Sequence, residues 1–232
     1  MNLSVAASFP LPVKAVVIDL DGTLLDTAPD IAEAAQRMLR DLGMAPVDLD
    51  KIRSYIGNGI ANLVKRALTG EMHGKPDEAL FARALPLFER HYEEVLHRET
   101  RPYPGIMEGL KALRAARFPL VCVTNKAERF TLPLLAAMGM KDCFELILSG
   151  DSLPRKKPDP LPLRYAAIYY EAEPRDLLLV GDSLNDSQAA RAAGCPVFLL
   201  PYGYNGGKDV REQDCDAVIE SLPEVLKLIK KA

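Results

Sequence analysis

The chain has 232 residues, 48% of them hydrophobic and 26% charged. That is enough apolar material for a sizeable core and the charge share of an ordinary globular protein, which excludes a disordered chain or a fibre. Its net charge of -3, with acids and bases mixed along the chain, leaves no basic stripe for nucleic acid and no acidic tail.

Met1 to Pro12 lacks the basic start of a signal peptide, and no apolar run approaches bilayer-spanning length. The expected location is the cytoplasm, with neither nucleic acid nor membrane as partner. Ala15 to Ile18 is the first of five short, continuously apolar runs that read as buried parallel strands. Asp19-Leu20-Asp21-Gly22-Thr23 follows it directly. From Asp26 to Arg101 the periodicity is helical, with no convincing strand. Thr27 is expected to cap a helix carrying Ile31, Ala35, Met38, Leu39 and Leu42, which Gly43 ends. Further helices are expected from Leu49 to Tyr55, Ile60 to Leu68 and Asp77 to Leu96, the last kinked or divided by Pro86. Arg101 to Gly105 then reads as a link back to the sheet.

Beyond it, the runs Leu120 to Val123, Leu146 to Leu148, Leu177 to Val180 and Val197 to Leu200 alternate with helical patterns. These are Met107 to Arg117, Ala127 to Met138, Leu161 to Glu171 and Ser183 to Ala193, with Gly139 and Gly194 placed as left-handed C-caps. Tyr202 to Gly207 reads as a Gly-rich turn and Leu222 to Ile229 as a packing helix. The four cysteines, at 122, 143, 195 and 215, lack metal-ligand spacing and read as small buried side chains in a reducing compartment. The alternation predicts a doubly wound, mostly parallel α/β sheet formed by residues 1–25 and 101–232, with an all-helical insertion at 26–100.

Polar residues recur where strands end. Strand one runs into Asp19 and Asp21, strand two into Thr124-Asn125, and strand four into Gly181-Asp182-Ser183-Leu184-Asn185-Asp186. Arg155-Lys156-Lys157-Pro158 follows strand three. In an open parallel sheet the ligand crevice lies outside the carboxyl ends of the strands, so these groups converge. Clustered carboxylates call for a hard cation, and Mg²⁺ suits a few carboxylates, several waters and a substrate phosphate oxygen. Such a site serves phosphoryl transfer. Asp19 fits the nucleophile, Asp21 the acid and base, Gly22 a close backbone approach to phosphate, and Thr23 a hydrogen-bond donor.

Asp19-Leu20-Asp21-Gly22-Thr23, Thr124, Lys157-Pro158 and Gly181-Asp182-Ser183-x-x-Asp186 together resemble the four motifs of the haloacid dehalogenase superfamily. The helical insertion matches the position of that family's cap. The resemblance implies a phosphoryl hydrogen bond from Thr124, neutralisation of Asp19 and the phosphoryl group by Lys157, and metal ligation by Asp19, Asp182 and the backbone carbonyl of Asp21. Lys157 is preferred to Lys156 because it directly precedes the proline. Asp186 reads as a supporting acid or as a helix-turn acid bonded to Lys157, with Ser183 beside it. Ile56-Gly57-Asn58-Gly59, Lys156 to Pro160, Gly181 to Pro196 and Tyr202-Gly203-Tyr204-Asn205 make the chain most similar to bacterial phosphoglycolate phosphatases. That likeness implies 2-phosphoglycolate as the small phosphorylated partner of a monomer or small homo-oligomer. Gly57-Asn58-Gly59, at the start of a helix, could receive the substrate carboxylate on free N–H groups, with Asn125 also facing substrate.

Three rivals share parts of this pattern. A β-phosphoglucomutase-like enzyme would return the phosphoryl group to a second hydroxyl. A phosphonoacetaldehyde hydrolase would need a Schiff-base lysine, for which Lys51 and Lys65 are available. A phospho-accepting switch would keep its aspartyl phosphate. His73, His91 and His97 belong to no motif and read as structural or exposed.

Overall fold

The five apolar runs form strands where the pattern placed them. The computed structural model describes residues 9–206 and 209–232. The reading of residues 1–8 as lacking a signal, and Gly207 of the expected turn, lie outside these residues. In chain order the elements are β1 (Leu11–Val13), β2 (Ala15–Ile18), β3 (Leu25–Asp26), α1 (Ala28–Asp41), α2 (Leu49–Tyr55), α3 (Ile60–Thr69), α4 (Glu78–Val95), β4 (Arg101–Pro102) and α5 (Ile106–Ala115). There follow β5 (Leu120–Val123), α6 (Glu128–Ala137), β6 (Leu146–Leu148), α7 (Leu161–Tyr169), β7 (Leu177–Gly181), α8 (Leu184–Ala193), β8 (Val197–Leu199), β9 (Ala217–Val218), α9 (Val225–Leu228) and β10 (Ile229–Lys231).

The main sheet has the order β6-β5-β2-β7-β8-β9, and every neighbouring pair is parallel. Side chains alternate between its faces, as the strand period requires. Val16, Ile18, Leu120, Cys122, Leu178 and Val180 enter one apolar cluster, and Ala15, Val17, Val121, Val123, Leu177 and Leu179 enter the other. Both faces are buried, hence the continuous apolar runs. Because β2 lies between β5 and β7, the residues after these three strands meet at one place.

The helical insert departs from expectation in three particulars. Two-residue strands β3 and β4 pair antiparallel at its base, Leu25 with Pro102 and Asp26 with Arg101, a ladder too short to register as a pattern. Thr27 precedes α1 but makes no side-chain cap bond; its hydroxyl donates to Asp21 instead. Pro86 does not divide α4, which runs unbroken through it. The ring sits on the exposed side, and Ala84, Phe88 and Tyr92 on the other side are fully buried, so packing offsets the one lost backbone bond.

The chain's end also differs from the expected helix. Leu222–Glu224 is a 3₁₀ turn, α9 lasts one turn, and β10 pairs parallel with β1, Ile229 against Leu11. Burial of β-branched Ile229 in that pairing outweighs the helical pattern. All four cysteines are free. No helix among the described residues is long and apolar enough to cross a membrane.

Candidate active site

Asp19 begins where β2 ends; its N–H donates to the Val180 carbonyl across the sheet at 3.0 Å. The chain then turns sharply, with the N–H groups of Leu24 and Leu25 both on the Leu20 carbonyl. Leu20, Leu24 and Leu25 are wholly buried and anchor this turn. Gly22 adopts φ 87°, and a Cβ there would collide with the Asp182 carboxylate. A Cβ at Gly203 would meet the same carboxylate. Two glycines therefore make room around Asp182.

Lys157 reaches into this turn from the loop after β6. Its Nζ lies 2.9 Å from Asp19 Oδ1 and 2.6 Å from Asp186 Oδ1. Burial disfavours the ammonium, but Asp186 and then Asp19 outweigh it and push Lys157 upward. The other oxygen of Asp186 accepts from Ser183 Oγ at 2.6 Å and from the N–H groups of Ser183 and Asp182. Asp186 thus caps α8 and holds Lys157 at once. Asp182 accepts from Thr23 Oγ1 and from the Tyr204 N–H, both at 2.6 Å.

Carboxylate oxygens of Asp19, Asp182 and Asp186 all lie within 4.8 Å of one another. Burial, only partly offset by Lys157, raises Asp19 to about 7, and burial followed by Asp186 and Asp19 raises Asp182. These carboxylates thus lie in surroundings that disfavour their charge, and a hard divalent cation would restore it. The all-oxygen donor set and the space left by Gly22 and Gly203 fit such a cation.

Asp21 turns its side chain to other partners. Both of its oxygens meet Lys126 Nζ, at 2.9 and 3.0 Å, and Oδ1 accepts from Thr27 Oγ1 at 2.7 Å. Lys126 follows Thr124 and Asn125 at the end of β5, and its Nζ lies 4.8 Å from the ring centroid of Tyr92 on α4. Asp21 outweighs the burial of Lys126 and raises it, while burial pushes the Tyr92 hydroxyl to about 12.

The insert closes over these groups. Asn125 Nδ2 donates to the Gly57 carbonyl at 2.8 Å and to the Lys157 carbonyl at 2.8 Å. Asn58 donates to Asn185 Oδ1 at 3.1 Å and accepts from Arg66, whose guanidinium also holds the Tyr55 and Met72 carbonyls. Gly59, at φ 84°, starts α3. The resulting cavity is lined by Asp19, Asp21, Thr124, Asn125 and Lys126 below and by Gly57, Gly59, Tyr92 and apolar side chains above.

Asp19, Asp21, Gly22, Thr23, Thr124, Lys157, Asp182, Ser183 and Asp186 are therefore one cluster, as their order along the strands predicts. Of the two adjacent lysines Lys157 is inside, while Lys156 lines an outer groove with Asn58 and Arg155. The Nδ2 groups of Asn58 and Asn125 hold the insert to the sheet. Lys51 is exposed and Lys65 lies over the Phe81 ring, so neither approaches the cavity. His91 is buried against Asp41, and His73 and His97 are exposed.

Sequence reasoning missed Lys126 and Tyr204. Besides its N–H on Asp182, Tyr204 places its hydroxyl 2.7 Å from the Thr27 N–H, 2.8 Å from the Ala28 N–H and 2.7 Å from Asp26 Oδ1. A lysine directly after a strand-end Thr-Asn was the available signal for the first. The second sits in the Tyr202-Gly203-Tyr204-Asn205 segment that carries the family likeness, but nothing there marks these contacts.

Comparison with known proteins gives a consistent result. The family model for haloacid dehalogenase-like hydrolases matches residues 16–200. The phosphoglycolate phosphatase of Nitrosospira multiformis is 63% identical over 224 residues, covering 97% of this chain and 99% of its own. That of Thiobacillus denitrificans is 58% identical, over 97% and 99%. The crystal structure of a predicted phosphoglycolate phosphatase from Haemophilus somnus superposes with a TM-score of 0.88 at 34% identity, covering 93% of this chain and 97% of that one.

Proposed function

Because the chain belongs to the haloacid dehalogenase-like hydrolases, we propose that it is a phosphatase converting 2-phosphoglycolate and water to glycolate and phosphate. The observation that carries the chemistry is the buried set of Asp19 and Lys157 beside Asp182 and Asp186, with Asp19 and Asp182 placed directly by strand ends. The substrate comes from the relatives named phosphoglycolate phosphatase, which this chain matches over nearly its whole length.

A carboxylate oxygen of Asp19 attacks phosphorus, the bond from phosphorus to the glycolate oxygen breaks, and Asp21 protonates that oxygen. Water then attacks the phospho-aspartate, gives its proton to Asp21, and releases phosphate with Asp19 restored. Lys157 favours the anionic form of Asp19 against its burial and faces the phosphoryl charge, joined by the hydroxyl of Thr124 and the turn at Gly22-Thr23. Asp19, Asp182 and the Asp21 carbonyl would hold Mg²⁺, which supplies positive charge to the phosphoryl oxygens when bound. Gly57, Gly59 and the first N–H groups of α3 face the substrate from above.

The pairing of β3 with β4 supports a boundary between a core at 1–25 and 101–232 and a helical cap at 26–100. A small phosphorylated metabolite is the partner of this monomer or small homo-oligomer. Four free cysteines suit the cytoplasm, and no nucleic acid or membrane is needed.

The test is phosphate release from 2-phosphoglycolate, glucose phosphates, sugar-acid phosphates and pyrophosphate, with Mg²⁺ and with chelator. Mg²⁺-dependent preference for 2-phosphoglycolate is expected. Preference for another ester would sink the substrate, and consumption of a sugar phosphate without release would reveal a mutase.

A further inference from the structure

The proposed chemistry accounts for the phosphate end of the substrate. Recognition of the carboxylate end rests on that proposal and calls for a positive group inside the cavity. Among the described residues lining the cavity, the one cation is Lys126, with a side chain 3% exposed. Of its nearest rivals two are otherwise engaged, and the third, Lys156, has its Nζ against Gly59 on the rim, outside the cavity lining. Lys157 is held between Asp19 and Asp186, Lys156 lines the outer groove, and Arg66 is spent on the Tyr55 and Met72 carbonyls and Asn58.

Lys126 has capacity to spare. An ammonium carries three N–H donors; here it meets both oxygens of Asp21, one of them shared with Thr27, and its remaining neighbour is the neutral side chain of Tyr92. The phenol of Tyr92, its ring centroid 4.8 Å away and its hydroxyl beside the ammonium, is a neutral and weaker partner that a carboxylate would outcompete. Position agrees with charge. In 2-phosphoglycolate one methylene separates the leaving oxygen from the carboxylate, and Asp21 must reach that leaving oxygen. A cation that touches Asp21 therefore stands beside the carboxylate. The remaining walls, among them Ile31, Ile56, Leu63 and Phe88, are apolar and offer a larger polar substrate no compensation for lost hydration.

We propose that Lys126 is the specificity-determining cation of this enzyme, taking the substrate carboxylate from the sheet side while the start of α3 faces it from the insert. The ammonium would hold that carboxylate and Asp21 together, which selects a short, acidic phosphate ester over a neutral one of equal size.

The experiment measures kcat/KM for 2-phosphoglycolate and for its neutral isostere 2-phosphoglycolamide in wild type, Lys126→Met and Lys126→Arg. The wild-type ratio should favour the acid, Lys126→Met should lower that ratio by roughly 30- to 100-fold, and Lys126→Arg should restore part of it. Both rates are read on one preparation, so the ratio does not depend on how much of the variant folds. If Lys126→Met does not fold at all, Lys126→Gln, which keeps a bond to Asp21, takes its place. Equal losses on both substrates would overturn the proposal, leaving Lys126 only to orient Asp21. A wild type indifferent to the carboxylate would overturn the substrate reading itself. A wild type that prefers the acid, with the preference unchanged in Lys126→Met, would overturn this inference alone.

Discussion

On the sheet side of the site, the residue following a strand is itself the functional group: Asp19 after β2, Thr124 after β5, Asp182 after β7. On the insert side the groups sit on loops and helix faces and meet the sheet only through long-range contacts: Asn125 and Asn185 on the Gly57 carbonyl, Asn58 on Asn185, Tyr92 over Lys126. The first arrangement is rigid because every strand neighbour fixes it, and it exists wherever the insert happens to be. The second exists only while the insert rests on the sheet. The proposed reaction chemistry therefore belongs to the first, while the proposed substrate selection is shared between Lys126 on the sheet side and the insert, where binding can make and break contacts.

Three substitutions, read in four measurements, test that contrast. Asp19→Asn removes the proposed nucleophile and should lower kcat on the order of 10⁴-fold or more while the insert docks as before. Phosphate release near the wild-type rate would show that the sheet side does not carry the reaction.

The next effect is on stability rather than rate. Burial raises Asp19 from 3.8 to about 7, so the folded, metal-free protein holds a proton there that the unfolded chain gives up. This contribution therefore weakens stability as pH climbs from about 4 through about 7 and is level above. Thermal melts of wild type and Asp19→Asn in chelator should diverge across that window in favour of the variant, on the order of a few kcal/mol at its upper end. Parallel curves would mean that Asp19 carries no such burden. Added Mg²⁺ should narrow the gap by binding the folded wild type.

A smaller change is expected at the junction of the two sides. Asn185→Ala removes the bonds to Asn58 and to the Gly57 carbonyl, and with net values of about 1 kcal/mol per bond should raise KM severalfold with little change in kcat. A loss confined to kcat would place Asn185 in the reaction instead. Smallest of all is Arg129→Ala, which breaks the exposed pairs from α6 to Glu89 and Glu93 on α4. Solvent-screened pairs of this kind contribute less than about 1 kcal/mol, so both Tm and KM should hardly move. A large shift would mean that surface charge, rather than the buried contacts, seats the insert.

The same contrast governs what could be read from the residues alone. Ala15 to Ile18 and Leu177 to Val180 are apolar without interruption because both faces of the sheet are covered, and a carboxylate directly after such a run has little reason to be there except chemistry. The β3–β4 ladder and the pairing of β10 with β1 were not legible, since each joins segments far apart in the chain. That holds for Lys126 too, whose meaning comes from Asp21, 105 positions before it. Tyr204 is the plainest case. Its surroundings spell a Gly-rich turn, yet its N–H holds Asp182 and its hydroxyl the entry to α1.

The β3–β4 ladder has one more consequence. It brings together the two places where the chain leaves and rejoins the sheet, Leu25 opposite Pro102 and Asp26 opposite Arg101. A segment whose ends already meet puts no demand of length or path on the framework it leaves, since extending a closed loop costs little further entropy. The helices between these ends are in effect a removable part. Others of different size could be grafted onto the same two-rung base, giving new substrate ranges to an unaltered reaction centre.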